Sequence, residues 1–169
     1  MADGARAEQE LEALFGSLLD GLYAFALGMV GQPHQAEEIT QTVLARALPR
    51  LIHGEVGNPT TYLRRAAYRE VIGQHRRRGV ERRHRHHWRV TTASGSDPNE
   101  AEVDDRLAFR PYLIQLPPRQ RAILLMRFWD DLPPEEIAET LGVKVSTVKT
   151  HINRGLARLR SILEDGDGL

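Results

Sequence analysis

Hydrophobic positions along this chain recur three and four residues apart, and no stretch alternates long enough to claim a strand. Leu11, Leu14, Phe15, Leu18, Leu19, Leu22, Phe25, Ala26 and Met29 predict one long helix or two consecutive ones, stopping at Gly31 before Gln32-Pro33. A second amphipathic helix is predicted from about His34 to Ile52. Ala36, Ile39, Val43, Leu44, Ala47 and Leu48 face inward, and Pro49 lies near its end as a residue able to shorten it. His53 to Pro59 is a loop by composition. Thr60 or Thr61 is positioned to cap the next helix, which holds Tyr62, Leu63, Ala66, Ala67, Val71 and Ile72 and runs out into Arg76-Arg77-Arg78. From Arg82 to about Asp105 the periodicity disappears into residues that favour a flexible linker. Helical spacing resumes with Leu107, Phe109, Tyr112, Leu113 and Leu116. Pro117-Pro118 then opens a helix carrying Ile123, Leu124, Leu125, Phe128 and Trp129. The pattern predicts an all-α chain: two small helical domains, 1–81 and 106–169, joined by a flexible linker at 82–105.

The segment Leu132 to Arg160, LPPEEIAETLGVKVSTVKTHINRGLARLR, is the most informative. Ile137, Ala138 and Leu141 bury one stripe of a short helix, Pro134 suits its first turn, and Gly142 stands where a C-terminal cap needs a left-handed residue. The next helix has Val148, Ile152, Leu156 and Leu159 as an apolar seam. Its other faces show Ser146, Thr147, Lys149, Thr150, Asn153 and Arg154. Turn, seam and hydrogen-bonding face together are the pattern of a helix-turn-helix whose second helix enters the DNA major groove.

Composition bounds the rest. The chain has 169 residues, 23 basic and 23 acidic, and no cysteine, which excludes disulfides and thiolate metal sites and fits a reducing cytoplasm. No uninterrupted run of about 18 apolar residues exists, and the acidic N-terminus lacks the charge of a secretory signal, so no membrane insertion is expected. Net neutrality hides a polarised distribution. Residues 1–60 hold three Arg against eight acids, residues 61–89 hold ten Arg against Glu70 and Glu81, and residues 97–105 hold five acids and no base. One basic face for a polyanion and acidic surfaces for a protein partner follow from such blocks.

The stretch LPPRQRAILLMRFWDDLPPEEIAETLGVKVSTVKTHINRGLARLR resembles region 4 of the extracytoplasmic-function (group IV) sigma-70 factors of bacterial RNA polymerase: a Leu-Pro-x-x-x-Arg opening, an E-I-A-x-x-L-G helix and a T-V-K recognition helix. LYAFALGMVGQPHQAEEITQTVLARAL and TYLRRAAYREVIGQHRRR are similar to the parts of region 2 that grip the polymerase clamp and meet the −10 element. The likeness covers about Leu11–Arg78 and Leu107–Leu163. Gln35 and Thr42 replace acids common in the family, Arg69 and Gly73 replace an Asn and an Asp, and Lys144 replaces a capping Ser. Ser146 is then the residue available to cap a recognition helix shortened by a turn.

The resemblance implies a non-catalytic protein that directs RNA polymerase to promoters, needs no cofactor or resident metal, and works in the cytoplasm at the nucleoid. It implies −35 contacts from Ser146, Thr147, Lys149, Thr150, His151 and Arg154. It implies −10 contacts from Arg64, Arg65, Arg69, Arg76 and Arg77, with Asn58 beside a pocket for a flipped base. Glu37, Glu38, Gln41, Thr42, Ala45 and Arg46 would meet the clamp helices. An apolar surface of region 4, including Leu124, Leu125 and Phe128, would receive the polymerase flap. Family members usually also have an inhibitory partner, an anti-sigma factor.

Three other readings start from the same residues. A stand-alone helix-turn-helix regulator accounts for 132–160 but not for the basic helix of the first half. A sigma-like decoy would bind polymerase without initiating. A zinc site at His84, His86 and His87, with His75 nearby, conflicts with the arginines around it, which repel a cation.

Overall fold

A computed structural model describes residues 2–84 and 109–166, and seven helices lie among them. The stretch beyond His84, with His86 and His87, and the start of the second segment up to Ala108 lie outside the described residues. α1 is Ala2–Val30, α2 Pro33–Ile52, α3 Pro59–His84, α4 Arg110–Leu113, α5 Pro118–Phe128, α6 Pro134–Leu141 and α7 Val145–Gly166. Proline stands first in α2, α3, α5 and α6, where its missing N–H would have had no partner and its fixed φ already suits a helix.

The first half is a three-helix unit. α1 is one continuous helix, ended by Gly31 at φ 78°. Leu22, Phe25, Ala26 and Met29 of α1 meet Ala36, Ile39, Val43 and Ala47 of α2 and Leu63, Ala67 and Val71 of α3. Leu48, expected inside, is 37% exposed: it follows Ala47 by one residue, a rotation of about 100° away from the buried stripe. Pro49 does not shorten α2, because it falls in the last turn, where His53 N–H still reaches its carbonyl at 3.1 Å. The cap of α3 is neither Thr60 nor Thr61. Asn58 Oδ1 accepts the Thr61 N–H at 3.1 Å, so the cap lies just before Pro59. Glu12–Val30 is long and apolar enough to cross a membrane, with mean hydropathy 1.6, but its inner face supplies the core of this unit.

In the second half α6 ends as the sequence predicts. Gly142 is left-handed at φ 65°, Gly142 N–H bonds Glu139 O at 3.2 Å, and Val143 N–H bonds Ala138 O at 2.9 Å. This pair of bonds satisfies the helix's last carbonyls and reverses the chain into α7. α7 is not shortened: it starts at Val145, with Lys144 O accepting from Thr147 and Val148, so Ser146 is inside the helix rather than its cap. Its inward seam runs through the buried Val148 and Gly155 and the half-buried Ile152 and Leu159. Leu156, expected in the seam, is 38% exposed, and Gly155 is buried in its place. The absence of a side chain at Gly155 lets α7 close on α5, since a Cβ there would stand 3.0 Å from Leu124 Cδ1.

The two halves are not held apart. α4 and α5 pack on α1, α6 packs on α3, and one continuous hydrophobic core takes residues from both. The two helical units expected from the sequence are docked on each other. Specific contacts among the described residues fix the seam. Gly28 presents bare backbone to Trp129 and Leu125, and Gly31 does the same to Ile114. The Arg121 guanidinium, buried in the second unit, donates to the Met29 carbonyl in the first and to the Ile114 and Leu116 carbonyls in its own, the latter two at 2.6 and 2.8 Å. Burial lowers the Arg121 pKa to about 10, which still leaves it charged at neutral pH. Arg64 also pairs with Asp130 across it.

Candidate nucleic-acid interface

α7 presents its polar side chains by simple helical geometry. With Val148 buried, positions two residues before it and one, two and five after it turn outward. Ser146, Lys149, Thr150 and Asn153 accordingly share one exposed face, and Arg154 lies exposed beside it. Thr150 Oγ1 donates back to Ser146 O at 2.9 Å, so that hydroxyl is partly committed to the helix. Thr147 and His151 sit lower on the flank and are only half-exposed. His151 Nδ1 is buried without a hydrogen-bond partner, and burial, followed by the nearby charges of Arg119 and Arg154, pushes the imidazole below its ordinary pKa. It is a neutral ring at pH 7. Asn153, whose amide can both donate and accept, belongs with the candidate readers although the family pattern did not single it out.

On α3 the arginines divide. Arg65, Arg69 and Arg76 are exposed, and spacings of four and seven residues stack them along one side of the helix. Arg77 is also exposed but bonds Glu70 of its own helix, which accepts from Arg77 Nη2 at 3.1 Å and from Arg46 Nη1 of α2 at 2.8 Å. Burial alone would raise the Glu70 pKa; hydrogen bonds from Arg46, Gln74 and Arg77 outweigh it and hold the carboxyl below its ordinary value. Arg64 departs from the expectation that it faces DNA. One residue before Arg65, it is rotated about 100° onto the buried stripe. There its Nε and Nη2 donate to the two Asp130 oxygens, each at 2.7 Å, and its guanidinium stands 5.1 Å from the Phe25 ring centroid. Asn58 is exposed, but its side-chain oxygen is occupied in capping α3.

On α2, Glu37, Gln41 and Ala45 follow one another at four-residue intervals on the outer face, with Glu38 and Arg46 exposed alongside and Thr42 half-buried. In the second unit Leu124 and Leu125 are core, while Phe128 is 55% exposed. Tyr62 is half-buried against the core of the first unit, a packing role. Asp130, Gly28 and Gly155 carry no distinguishing signal in the sequence. An ion pair between residues 66 positions apart leaves no periodic signal, and a glycine facing another helix looks like any other helical glycine.

These features define an all-helical protein of two units, one ending in a basic helix and one carrying a helix-turn-helix. The Sigma-70 region 2 family model matches residues 14–81 and the Sigma-70 region 4 model matches residues 106–159. The chain is 31% identical over 163 residues to the RNA polymerase sigma-E factor of Streptomyces antibioticus, covering 94% of this chain and 87% of that one. It is 29% identical over 160 residues to the ECF RNA polymerase sigma factor SigW of Bacillus subtilis (strain 168), covering 86% and 84%. Among solved structures, it is similar in fold to the sigma factor RpoE of Bartonella quintana, crystallised with the anti-sigma factor NepR. The TM-score is 0.71 and the identity 22%, covering 92% of this chain and 98% of that one. The chain belongs to the sigma-70 family and is a sigma factor of the extracytoplasmic-function group.

Proposed function

We propose that this sigma factor addresses RNA polymerase to promoters through two separate DNA contacts and one polymerase grip, without catalysing any step itself. The observation that carries the reading is the solvent-facing array of Ser146, Lys149, Thr150 and Asn153 on a helix fixed by the turn at Gly142. Laid in the major groove of a −35 element, α7 offers Asn153 for a bidentate base contact, which discriminates by about 1–3 kcal/mol. Lys149 and Arg154 neutralise phosphates, Ser146, Thr147 and Thr150 offer shorter contacts, and His151 meets the groove as an uncharged ring.

Arg65, Arg69 and Arg76 form the track for the −10 strand, with Arg77 beside it. A base flipped near Asn58 costs a few kcal/mol to unstack, which backbone contacts along this track help offset. Glu37, Glu38, Gln41, Thr42, Ala45 and Arg46 supply the surface for the polymerase clamp helices, and Phe128 the exposed apolar contact for the flap. The protein then acts in the cytoplasm, at the nucleoid. An anti-sigma factor would act by covering these same faces.

The test is co-purification with core polymerase, followed by transcription in vitro from DNA recovered with the holoenzyme. Start sites that depend on the added chain support the reading. Polymerase binding with no transcript from any recovered promoter would favour a decoy instead.

A further inference from the structure

We infer that Glu70 limits how tightly α3 grips a nucleic-acid strand irrespective of its sequence, because its carboxylate holds Arg77 back from the phosphate-binding row of Arg65, Arg69 and Arg76. This rests on the reading of that row as the −10 track given above.

Helical geometry sets up the choice. Arg69 and Arg76 lie seven residues apart, and so do Glu70 and Arg77, which makes two parallel rows on α3 turned about 100° from each other. Arg77 therefore stands one position round from Arg76, where a long side chain can swing onto a phosphate held by the first row. Instead it runs back along its own row. Nη2 donates to Glu70 Oε1 at 3.1 Å, two turns and roughly 10 Å toward the helix N-terminus. Helical side chains lean in that direction. Gly73, one turn away, leaves the corridor clear: Arg77 Nη1 stands 3.9 Å from its Cβ position.

The carboxylate is placed to keep its hold. It is only 10% exposed, and Gln74 Nε2 shares Oε1 at 3.4 Å. Arg46, reaching over from α2, fixes Oε2 at 2.8 Å, so the carboxylate cannot follow Arg77 outward. Attraction at such a shielded site is screened less than between open surface charges. Arg77 itself is 67% exposed, so pairing rather than burial withholds it from a phosphate. Phosphate contacts supply grip without sequence information. Withholding one of them lowers blind binding and leaves base contacts untouched, which makes Glu70 a specificity-determining residue that touches no DNA.

The test is binding of the full chain to a fluorescent single-stranded oligodeoxynucleotide of mixed sequence, titrated at several salt concentrations. Glu70→Gln, which removes the charge at constant shape, should bind more tightly and steepen the salt slope by about 0.7 units, the signature of one added single-strand phosphate contact. Glu70→Leu, which also removes the acceptors, should do the same. Adding Arg77→Ala to Glu70→Gln should return the slope to the parent value. So should Gly73→Asp on the Glu70→Gln background, since it offers Arg77 a carboxylate four residues away. That rescue does not rebuild the bond to Arg46, so a residue acting only as a brace between α2 and α3 would not show it. Equal slopes for the parent and both Glu70 variants, or a steepening that survives Arg77→Ala, overturns the inference. Arg69→Ala in the parent tests the underlying reading separately. If it leaves the slope unchanged while the Glu70 and Arg77 variants respond as described, the −10 track is misassigned and the restraint on Arg77 stands.

Discussion

Gly28 and Trp129 fit each other across the seam: a Cβ on the glycine would lie 2.6 Å from Trp129 Cζ3 and 2.9 Å from Leu125 Cδ2. Contacts that short force a shift of the ring or of the whole second unit. Gly28→Ala should therefore destabilise the full chain by about 1–3 kcal/mol, as overpacking does. Gly16, on the same helix, has nothing within 4 Å of its Cβ position. Gly16→Ala should instead stabilise by about 0.5–1 kcal/mol through helix propensity. Chemical denaturation of both variants separates the two effects, and a stabilising Gly28→Ala would mean that the seam is not closed in solution.

Arg121 supplies donors to three carbonyls in two units. Arg121→Ala leaves those acceptors buried without partners and should cost about 2–4 kcal/mol. Arg121→Lys should recover little, since a single ammonium cannot span the same fork of acceptors. Midpoints of urea unfolding for the two variants check this. Full rescue by lysine would mean that the charge matters and the geometry does not.

His151 predicts an acid sensitivity of defined sign. Its folded pKa lies below the unfolded value, so the unfolded chain binds the proton more readily. The ring's contribution is fully present above about pH 6.5 and is lost as pH falls toward its folded pKa. The parent chain should lose stability as pH falls below about 6.5, and His151→Gln should flatten that part of the curve. Identical slopes would place the titration elsewhere.

DNA contacts should separate by salt dependence. Lys149→Ala should weaken −35 binding and reduce the salt slope by about one unit, the signature of one lost phosphate contact. Asn153→Ala should leave the slope unchanged and relax sequence preference at one position, at a cost of about 1–3 kcal/mol for the preferred base. Binding titrations at several salt concentrations, on matched and altered duplexes, read both. A lowered slope for Asn153→Ala would move it from base reader to backbone contact.

How much of this was legible beforehand follows the range of the interactions. Gly142 ending α6, Val148 and Ile152 under α7, and the Arg65–Arg69–Arg76 row all depend on neighbours within a turn or two, and local spacing encodes them. Arg64 neighbours Arg65 in sequence, yet adjacent helical residues point about 100° apart, and only the fold shows that one of the two turns inward to Asp130. Lys144 lacks a capping side chain, which makes Ser146 look like the available cap, yet the helix starts at Val145 on backbone bonds to the Lys144 carbonyl. The seam itself was invisible. Asp130, Gly28 and Arg121 act across 66 to 101 residues of chain, where a single sequence holds no periodicity to betray the partner.

The Met29 carbonyl at the end of α1 is taken by an arginine 92 positions further along the chain. One unit thus finishes a helix belonging to the other. When the units part, that acceptor must turn to water, and the final turn, including the Gly31 amide held at 2.8 Å by Leu27 O, loses its brace. Deuterium uptake at those few backbone amides becomes an internal gauge of how often the molecule comes apart, readable without any label.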